Sequence, residues 1–310
     1  MSDLEFTGER FIPGTRGEIW IEHWHRYHFA SAFVAGKRVL DIACGEGYGS
    51  ALLARTAGSV VGVDVSPAAV AHASKAYADR TNLRYVEGSC TAIPLPDASV
   101  DVAVTFETLE HIEGQEAFMA ELARVLTPEG LLLLSCPNKL EYSDLRGYSN
   151  EYHVKELYRE ELQALVAAKF PSLAWFRQKP TFYSLIVPEA PASAARLVEV
   201  EEADPAAAGP ELSGALYFLV AASREPRTVA ALEAPLHVLA DRGDWVHKDY
   251  EKVFRMMEFA AGEREAAQAE VKRLQGELAQ RDARLASLPP PAPALSGWRA
   301  WLARALGLVR

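Results

Sequence analysis

Short apolar runs alternate with amphipathic stretches between residues 37 and 137, and this alternation is the dominant pattern of the chain. Such an alternation is typical of parallel βαβ units. It predicts strands at residues 37–43, 59–65, 82–88, 99–106 and 130–137. It also predicts helices at residues 50–56, 66–79 and 116–126, the second with Ser66 as its N-cap and Pro67 in its first turn. The pattern therefore predicts an α/β fold built on a parallel sheet.

Two later apolar runs are predicted to close the sheet as a pair of strands. They are "TFYSLIVP" at residues 181–188 and "GALYFLVAAS" at residues 214–223. Between them, residues 188–210 are rich in Ala, Pro and Glu. This composition indicates a surface loop with room for one short helix.

The composition changes after residue 225. Apolar residues from Tyr250 to Leu288 follow a 3,4 spacing, which predicts a short coiled coil; the alternative is one long solvated helix packed on the preceding domain. A Pro-rich spacer follows, and then a basic amphipathic segment that carries Trp298 and Trp301 on one face. This segment favours attachment to an anionic membrane surface, or else docking on its own domain or on a partner subunit.

The chain is therefore divided into a main domain at 1–225, a connector at 226–248, a coiled coil at 249–288, and a spacer with a basic helix at 289–310. A net charge of −10 argues against a protein that works by neutralising nucleic-acid phosphates. The first residues lack the features of a secretory signal, and no apolar run approaches the roughly 20 residues that span a bilayer. We expect a cytoplasmic protein.

No metal site is predicted from the cysteines or from the N-terminal histidines. The three cysteines are far apart and lack metal-ligand spacing, so neither a disulfide framework nor a zinc site is indicated. His23, His25 and His28 do not share one face of a helix. A lid that closes over a ligand is the preferred interpretation of this polar and aromatic N-terminal stretch.

The segment "VLDIACGEGYGS", residues 39–50, places three glycines at alternate positions behind an apolar run. It fits neither the dinucleotide fingerprint nor the P-loop, and its acids Asp41 and Glu46 favour a cationic ligand over a phosphate. Asp64 ends the next predicted strand 19 residues after Gly45, near the spacing at which an acid binds ribose hydroxyls. A ligand with a ribose and a positive charge but no phosphate is S-adenosylmethionine.

At these motifs the sequence resembles the class I S-adenosylmethionine-dependent methyltransferases, over about residues 20–222. "VVGVDVS", "EGSCTAIPLPDASVDVAVTFETLEHI" and "GLLLLSCPN" follow the glycine segment in the order of that family. The resemblance implies a Rossmann-like, doubly wound, seven-stranded sheet whose last strand is antiparallel, and S-adenosylhomocysteine as the product. It implies these cofactor-binding residues: Asp41, Ala43, Cys44, Gly45, Gly47, Asp64, Val65, Ser89, Cys90, Phe106 and Glu107. Ser89 departs from the family, which often has Asp there.

The segment "FETLEHI" follows the fourth strand and supplies the titratable candidates Glu107, Glu110 and His111. His111 is predicted as the general base, because an imidazole with a pKa of about 6.5 suits proton removal near neutral pH. The alternative is a structural role for this histidine. His153, which precedes a predicted helix, is the second catalytic candidate, with capping and packing as its alternative.

The N-terminal segments "GERFIPG" at residues 8–14 and "EHWHRY" at residues 22–27 resemble methyltransferases encoded with bacterial cell-surface polysaccharide genes. This resemblance implies a sugar or glycan hydroxyl as the methyl acceptor. It also fits a homo-oligomer formed through the coiled coil and peripheral contact with the inner face of the membrane. The alternatives are a methyltransferase for a quinone, lipid or natural product, and a non-catalytic membrane-attached scaffold.

Overall fold

The computed structural model describes residues 17–181, 199–200, 208–209, 212–232, 236–240, 243, 245–288 and 297–308. The chain divides into two compact units, residues 1–246 and residues 247–310. The predicted segment at residues 8–14, most of the run at 181–188 and most of the loop at 188–210 lie outside the described residues.

A seven-stranded sheet is the centre of the first unit. Its strands are β1 (Arg38–Ile42), β2 (Ser59–Asp64), β3 (Leu83–Glu87), β4 (Val100–Phe106), β5 (Leu126–Pro137), β6 (Ser172–Gln178) and β9 (Tyr217–Ser223). Their order is β3-β2-β1-β4-β5-β9-β6, and β9 runs antiparallel to both of its neighbours. A separate antiparallel pair consists of β7 (Glu199–Val200) and β8 (Ala208–Gly209). The predicted doubly wound fold with an antiparallel last strand is confirmed.

Six α-helices accompany the sheet in the described part of this unit: α1 (Glu18–Ser31), α2 (Tyr48–Leu53), α3 (Pro67–Ala76), α4 (Gln115–Val125), α5 (Arg159–Ala167) and α6 (Pro226–Ala230). A 3-10 turn spans Leu109–His111, and a π-helical turn spans Leu140–Asp144. The predicted start of α3 is confirmed, because Ser66 Oγ accepts a hydrogen bond from the Ala69 amide at 3.3 Å and Pro67 occupies the first helical position.

Both faces of the sheet are buried, which explains why its central strands are almost continuously apolar. One core cluster contains Leu40 and Ile42 of β1, and the other contains Val39. Since successive side chains of a strand point to opposite faces, Asp41 shares the face of Val39. This is the face on which α1 and α2 contribute Tyr27 and Leu53.

The position of one closing strand differs from the prediction. The strand that pairs with β9 is Ser172–Gln178, not the run at 181–188, and the described residue Thr181 lies outside any strand. β6 is an edge strand, and six of its seven side chains are only partly buried or exposed. Such a strand needs no continuous apolar run, so the hydrophobic pattern did not reveal it.

The second unit contains the long helix α7 (Trp245–Ala286), which begins in the first unit, and α8 (Trp298–Ala305). Apolar positions of the 3,4 pattern are exposed along α7, among them Val271, Leu274 and Leu278. Assembly as a coiled coil stays a prediction. Among the helices of the described residues, none combines the length and the apolarity needed to cross a bilayer.

Candidate functional site

The candidate site lies at the carboxyl ends of β1, β2 and β4. β1 pairs with β2 on one side and with β4 on the other, so the chain reverses its direction of winding between β1 and β4. Ligands of open α/β sheets bind in the crevice at such a switch point. Three segments lie at the ends of these strands: the turn at residues 43–47, the pair Asp64 and Val65, and residues 107–111.

The first segment is a tight turn that requires glycine. Gly45 and Gly47 have φ values of 58° and 92°, and Ala43 also has a positive φ of 60°. A Cβ on Gly47 would lie 2.7 Å from both the Ala73 Cβ and the Tyr85 hydroxyl oxygen, which is closer than packed atoms approach. The Tyr85 hydroxyl also donates to the Gly47 carbonyl at 2.7 Å. The turn is therefore held against β3 and α3.

The carboxylate of Asp64 joins this turn to β2. Its Oδ2 accepts from the Gly45 amide at 2.8 Å, and its Oδ1 accepts from the Ser66 amide at 2.9 Å. Each oxygen of the carboxylate therefore accepts a backbone amide. The adjacent Val65 side chain is 72% exposed. An acceptor group next to an exposed apolar surface fits a ribose that carries a flat base.

Asp41 is fully buried beneath the turn. Ser50 Oγ donates to its Oδ2 at 2.5 Å, and the Tyr27 hydroxyl donates to its Oδ1 at 3.1 Å. Burial raises the pKa of Asp41 to about 7. A Cβ on Gly49 would lie 2.0 Å from the Tyr27 ring, so α1 packs directly on the start of α2. The predicted contact of Asp41 with a ligand stays a prediction.

Glu46, the other acid of the turn, is also bonded to the chain itself. Its Oε1 lies 2.9 Å from His72 Nε2, and its Oε2 accepts from the Tyr77 hydroxyl at 2.8 Å. These contacts orient Glu46 toward α3. The preference for a cationic ligand that was drawn from Asp41 and Glu46 stays a prediction, since both carboxylates accept hydrogen bonds from the protein.

α1 carries an arginine into the interior beside β4. Arg26 is 1% exposed; its Nε donates to Gln178 Oε1 at 2.8 Å, and its Nη2 lies 3.6 Å from Glu107 Oε1. The guanidinium also lies 4.3 Å from the centre of the Tyr217 ring. Glu22 accepts from the Tyr217 hydroxyl at 2.9 Å, and burial raises its pKa to about 7. Residues 22–27 are thus anchored, and a closing motion of the N-terminal segment stays a prediction.

The two predicted catalytic histidines lie next to each other. The ring centres of His111 and His153 are 5.0 Å apart. Their segments are joined by backbone bonds, because the amides of Val154 and Lys155 donate to the Glu110 carbonyl at 2.8 and 3.0 Å. Tertiary contacts therefore bring together residues from the end of β4 and from the segment before α5.

The hydrogen bonds of His111 define which of its ring nitrogens carries the proton. Its Nδ1 lies 3.0 Å from the Tyr152 carbonyl oxygen, which can only accept, so Nδ1 carries the proton and Nε2 carries the lone pair. His111 Nε2 lies 3.8 Å from Glu110 Oε1. Within the described residues, neither carboxylate oxygen of Glu110 has a hydrogen-bond partner, and burial raises the pKa of this group well above its usual value.

The remaining predicted residues differ in exposure. Ser89 and Cys90 are partly buried, and Ser89 Oγ is hydrogen-bonded to Thr91 Oγ1 at 2.9 Å. Cys44 and Phe106 are buried in the core, where Phe106 packs on the Tyr27 ring with a centroid distance of 5.1 Å. Their predicted roles in cofactor binding stay predictions.

Sequence reasoning missed two groups that orient this site. Glu156 Oε1 lies 2.5 Å from His153 Nδ1, and Asn150 Nδ2 lies 3.0 Å from His153 Nε2. The spacing of three residues on each side of His153 was the available signal. It is weak, because polar residues at such spacing are common in loops.

Several known proteins are similar to this chain in sequence or in fold. Residues 40–134 match the family described as "Methyltransferase domain". A probable S-adenosylmethionine-dependent methyltransferase of Mycolicibacterium smegmatis is 42% identical over 171 residues, which cover 53% of this chain and 64% of that protein. A mitochondrial ubiquinone biosynthesis O-methyltransferase of Schizosaccharomyces pombe is 39% identical over 105 residues, 33% of this chain and 38% of that protein.

A crystal structure of a protein from Pyrococcus horikoshii superposes with a TM-score of 0.51 and 18% identity, covering 71% of this chain and 96% of that one. This likeness concerns the fold. The chain spans less than two thirds of the length of the curated relatives it matches, 64% in the case of the Mycolicibacterium protein. Residues 40–134 are therefore similar to a methyltransferase domain, and the sheet that contains them has the doubly wound order with an antiparallel last strand.

Proposed function

We propose that this protein transfers the methyl group of S-adenosylmethionine to a hydroxyl oxygen of a sugar or glycan. One observation carries the proposal. The glycine turn with Asp64 and the cluster of Glu110, His111 and His153 follow strands on the two sides of the same switch point. A cofactor site and a polar acceptor site at one edge of the sheet would bring the methyl group and the acceptor oxygen together.

Asp64 would accept hydrogen bonds from the ribose hydroxyls of S-adenosylmethionine, and Val65 would contact its adenine. The turn at residues 45–47 would let the amino-acid end of the cofactor approach the backbone. When bound, S-adenosylmethionine supplies a methyl group on a positively charged sulfur. The protein then has to align an acceptor oxygen with that methyl group and exclude water. The acceptor hydroxyl would lose its proton beside two imidazole groups, those of His111, at Nε2, and His153.

Aromatic side chains beside the histidines support a sugar acceptor. Tyr142 is stacked on His153 with ring centres 5.6 Å apart, and its ring also packs on the exposed Tyr148. Arg146 lies within 5.7 Å of both tyrosine rings. Flat apolar faces interspersed with hydrogen-bonding groups match the two kinds of surface that a sugar presents.

The second unit supports a role at the membrane and in assembly. Trp298 and Trp301 of α8 are each 69% exposed, and the charged residues of this helix are arginines. An amphipathic helix of this kind suits peripheral binding to an anionic lipid surface, where lipid-linked glycans are made. The exposed apolar positions of α7 would pair with a second copy of the chain.

A phenolic or quinone-derived acceptor is the second candidate. It is supported by the similarity to a protein named as a ubiquinone biosynthesis O-methyltransferase. The same strand edge and the same histidines would serve this acceptor, since it also presents a hydroxyl oxygen for methylation.

Transfer of labelled methyl from S-adenosylmethionine into an extract of the host would test the proposal. The extract is fractionated into lipid-linked glycans, nucleotide sugars and other small molecules. Asp64→Ala removes the carboxylate of the site, and Asp79→Ala is the matched control because Asp79 is an exposed acid with a 78% exposed side chain. We expect label in a glycan or sugar fraction with the control and none with Asp64→Ala.

Label in a quinone or lipid fraction would replace the sugar proposal with the second candidate. No label in any fraction, together with normal cofactor binding by calorimetry, would contradict methyl transfer as the activity.

A further inference from the structure

The side chains of Glu110, His111 and His153 form a compact cluster of metal-ligand type. Each offers one ligand atom, and the three atoms lie within 4.8 Å of one another. The sequence analysis predicted no metal site. We propose that this cluster binds a divalent transition-metal ion, and that this ion is where the acceptor oxygen binds. The second half of this proposal rests on the proposed function.

The carboxylate of Glu110 is the strongest reason for a bound cation. Glu110 is 1% exposed, and neither of its side-chain oxygens has a hydrogen-bond partner among the described residues. Buried polar atoms are almost always paired, because an unpaired one loses its hydration without compensation. A metal ion at this position would provide the missing partner.

The charged groups around Glu110 do not fulfil that role. His111 Nε2 lies 3.8 Å from Glu110 Oε1, beyond hydrogen-bond distance. The nearby Glu107 accepts from Ser135 Oγ at 2.6 Å and faces Arg26 at 3.6 Å, so it is satisfied by other partners. Glu110 therefore differs from Glu107, whose carboxylate accepts a hydrogen bond from Ser135.

The histidines are oriented as metal-binding histidines usually are. His111 Nδ1 donates to the Tyr152 carbonyl, and His153 Nδ1 donates to Glu156, which is itself held by Ser143 Oγ at 2.6 Å. Ligating histidines commonly donate their second ring N–H to a carbonyl or carboxylate, which fixes the tautomer and leaves the other nitrogen for the metal. In His111 and in His153 the nitrogen that would bind the metal is Nε2.

One contact would change when the ion binds. Asn150 Nδ2 donates to His153 Nε2 at 3.0 Å, and the orientation of this amide is fixed because Asn150 Oδ1 accepts from the Tyr152 amide at 3.1 Å. The metal would replace the Asn150 amide at His153 Nε2. The displacement is local, because the bond between Asn150 Oδ1 and the Tyr152 amide can persist.

One carboxylate oxygen and two imidazole nitrogens are a donor set for Mn²⁺, Fe²⁺, Co²⁺ or Zn²⁺ and leave coordination positions open. An acceptor hydroxyl bound at an open position would lose its proton to solvent more readily, because a metal ion lowers the pKa of a bound oxygen. Its electron pair would then form the O–CH₃ bond while the C–S bond breaks and the electron pair of that bond returns to sulfur.

Binding of Co²⁺ to the full chain tests the site without any turnover. The protein is treated with a chelator, dialysed against Co²⁺ and assayed for bound metal by elemental analysis and for ligation by visible absorption. We expect one Co²⁺ per chain and, at a Co²⁺ concentration 100-fold above Kd, a rise in melting temperature of about 5 to 10 °C.

Glu110→Gln keeps the shape of the side chain and removes its charge, so we expect its affinity for Co²⁺ to fall at least tenfold and the rise in melting temperature to fall by half or more. His25→Ala is the matched control, because His25 forms a different histidine pair, with His237 at 2.9 Å. The control should bind Co²⁺ like the parent protein. Near-ultraviolet circular dichroism verifies that each variant is folded.

Equal Co²⁺ affinity in the parent protein and Glu110→Gln, or no binding in the parent, would overturn the metal site. If Glu110→Gln does not fold, His153→Gln replaces it with the same expected loss. Absence of Co²⁺ binding with intact methyl transfer would reject only the metal site. Tight Co²⁺ binding without methyl transfer to any fraction would reject only the proposed function.

Discussion

Replacing Asp41 by Asn should change how the stability of the protein depends on pH. Burial raises the pKa of Asp41 from 3.8 to about 7 in the folded protein. Between these two pH values the folded protein keeps a proton that the unfolded chain has released. The stabilisation from this proton is fully present below pH 3.8 and is lost as the pH rises to about 7.

The size of the effect follows from the two pKa values. Each pH unit between them is worth about 1.4 kcal/mol, so between pH 5 and pH 8 the parent protein should lose about 3 kcal/mol through Asp41 alone. Asn has no such titration. Ser50 and Tyr27 can keep hydrogen bonds to it, because a hydroxyl group both donates and accepts.

Urea unfolding at pH 5, 6, 7 and 8, followed by tryptophan fluorescence, measures the difference. The free energy of unfolding of Asp41→Asn minus that of the parent should rise by about 3 kcal/mol from pH 5 to pH 8 and level off above the pKa of Asp41. Subtracting the parent removes the contribution of Glu22, whose pKa is also raised to about 7.

Asp101→Asn is the matched control. The Arg38 guanidinium, 2.7 Å away, lowers the pKa of Asp101 below 3.8, so this carboxyl is ionised in both the folded and the unfolded state above pH 5. The free energy of unfolding of Asp101→Asn minus that of the parent should stay constant between pH 5 and pH 8. A flat difference for Asp41→Asn as well would refute the reasoning, because it would mean that the buried carboxyl does not hold a proton near neutral pH.

Three further predictions concern the turn, a helix start and assembly. Gly47→Ala should weaken binding of S-adenosylmethionine at least tenfold by calorimetry, since its Cβ would meet Ala73 and Tyr85 at 2.7 Å; Gly36→Ala, with a φ of 70° but open space, should bind normally. Ser66→Ala should lower the free energy of unfolding by about 1 kcal/mol in urea, and no change would exclude the cap. Leu274→Glu with Leu278→Glu should lower the sedimentation coefficient of a homo-oligomer; an unchanged value would exclude α7 as the assembly element.

Much of the fold and the position of the glycine turn could be predicted from the sequence, because the signals there are local. The central strands are apolar on both faces, Ser66 and Pro67 begin α3 where expected, and Gly45 and Gly47 lie where the backbone has positive φ. Turns, caps and buried parallel strands depend on residues within a few positions of one another. The position of β6 was wrong, because an edge strand lacks the apolar pattern.

The acceptor side depends on contacts between distant residues. His111 meets the Tyr152 carbonyl 41 positions along the chain, and Arg26 meets Gln178 across 152 positions. The sequence named Glu110 as a candidate, but only the tertiary structure shows that its carboxylate is buried and has no hydrogen-bond partner among the described residues. Burial and pairing are properties of the packed chain, because desolvation is imposed by neighbours that the spacing of residues does not identify. The sequence by itself determined the α/β fold and the glycine turn; the packing of α1, the 3-10 turn and the segment before α5 decided which polar groups meet.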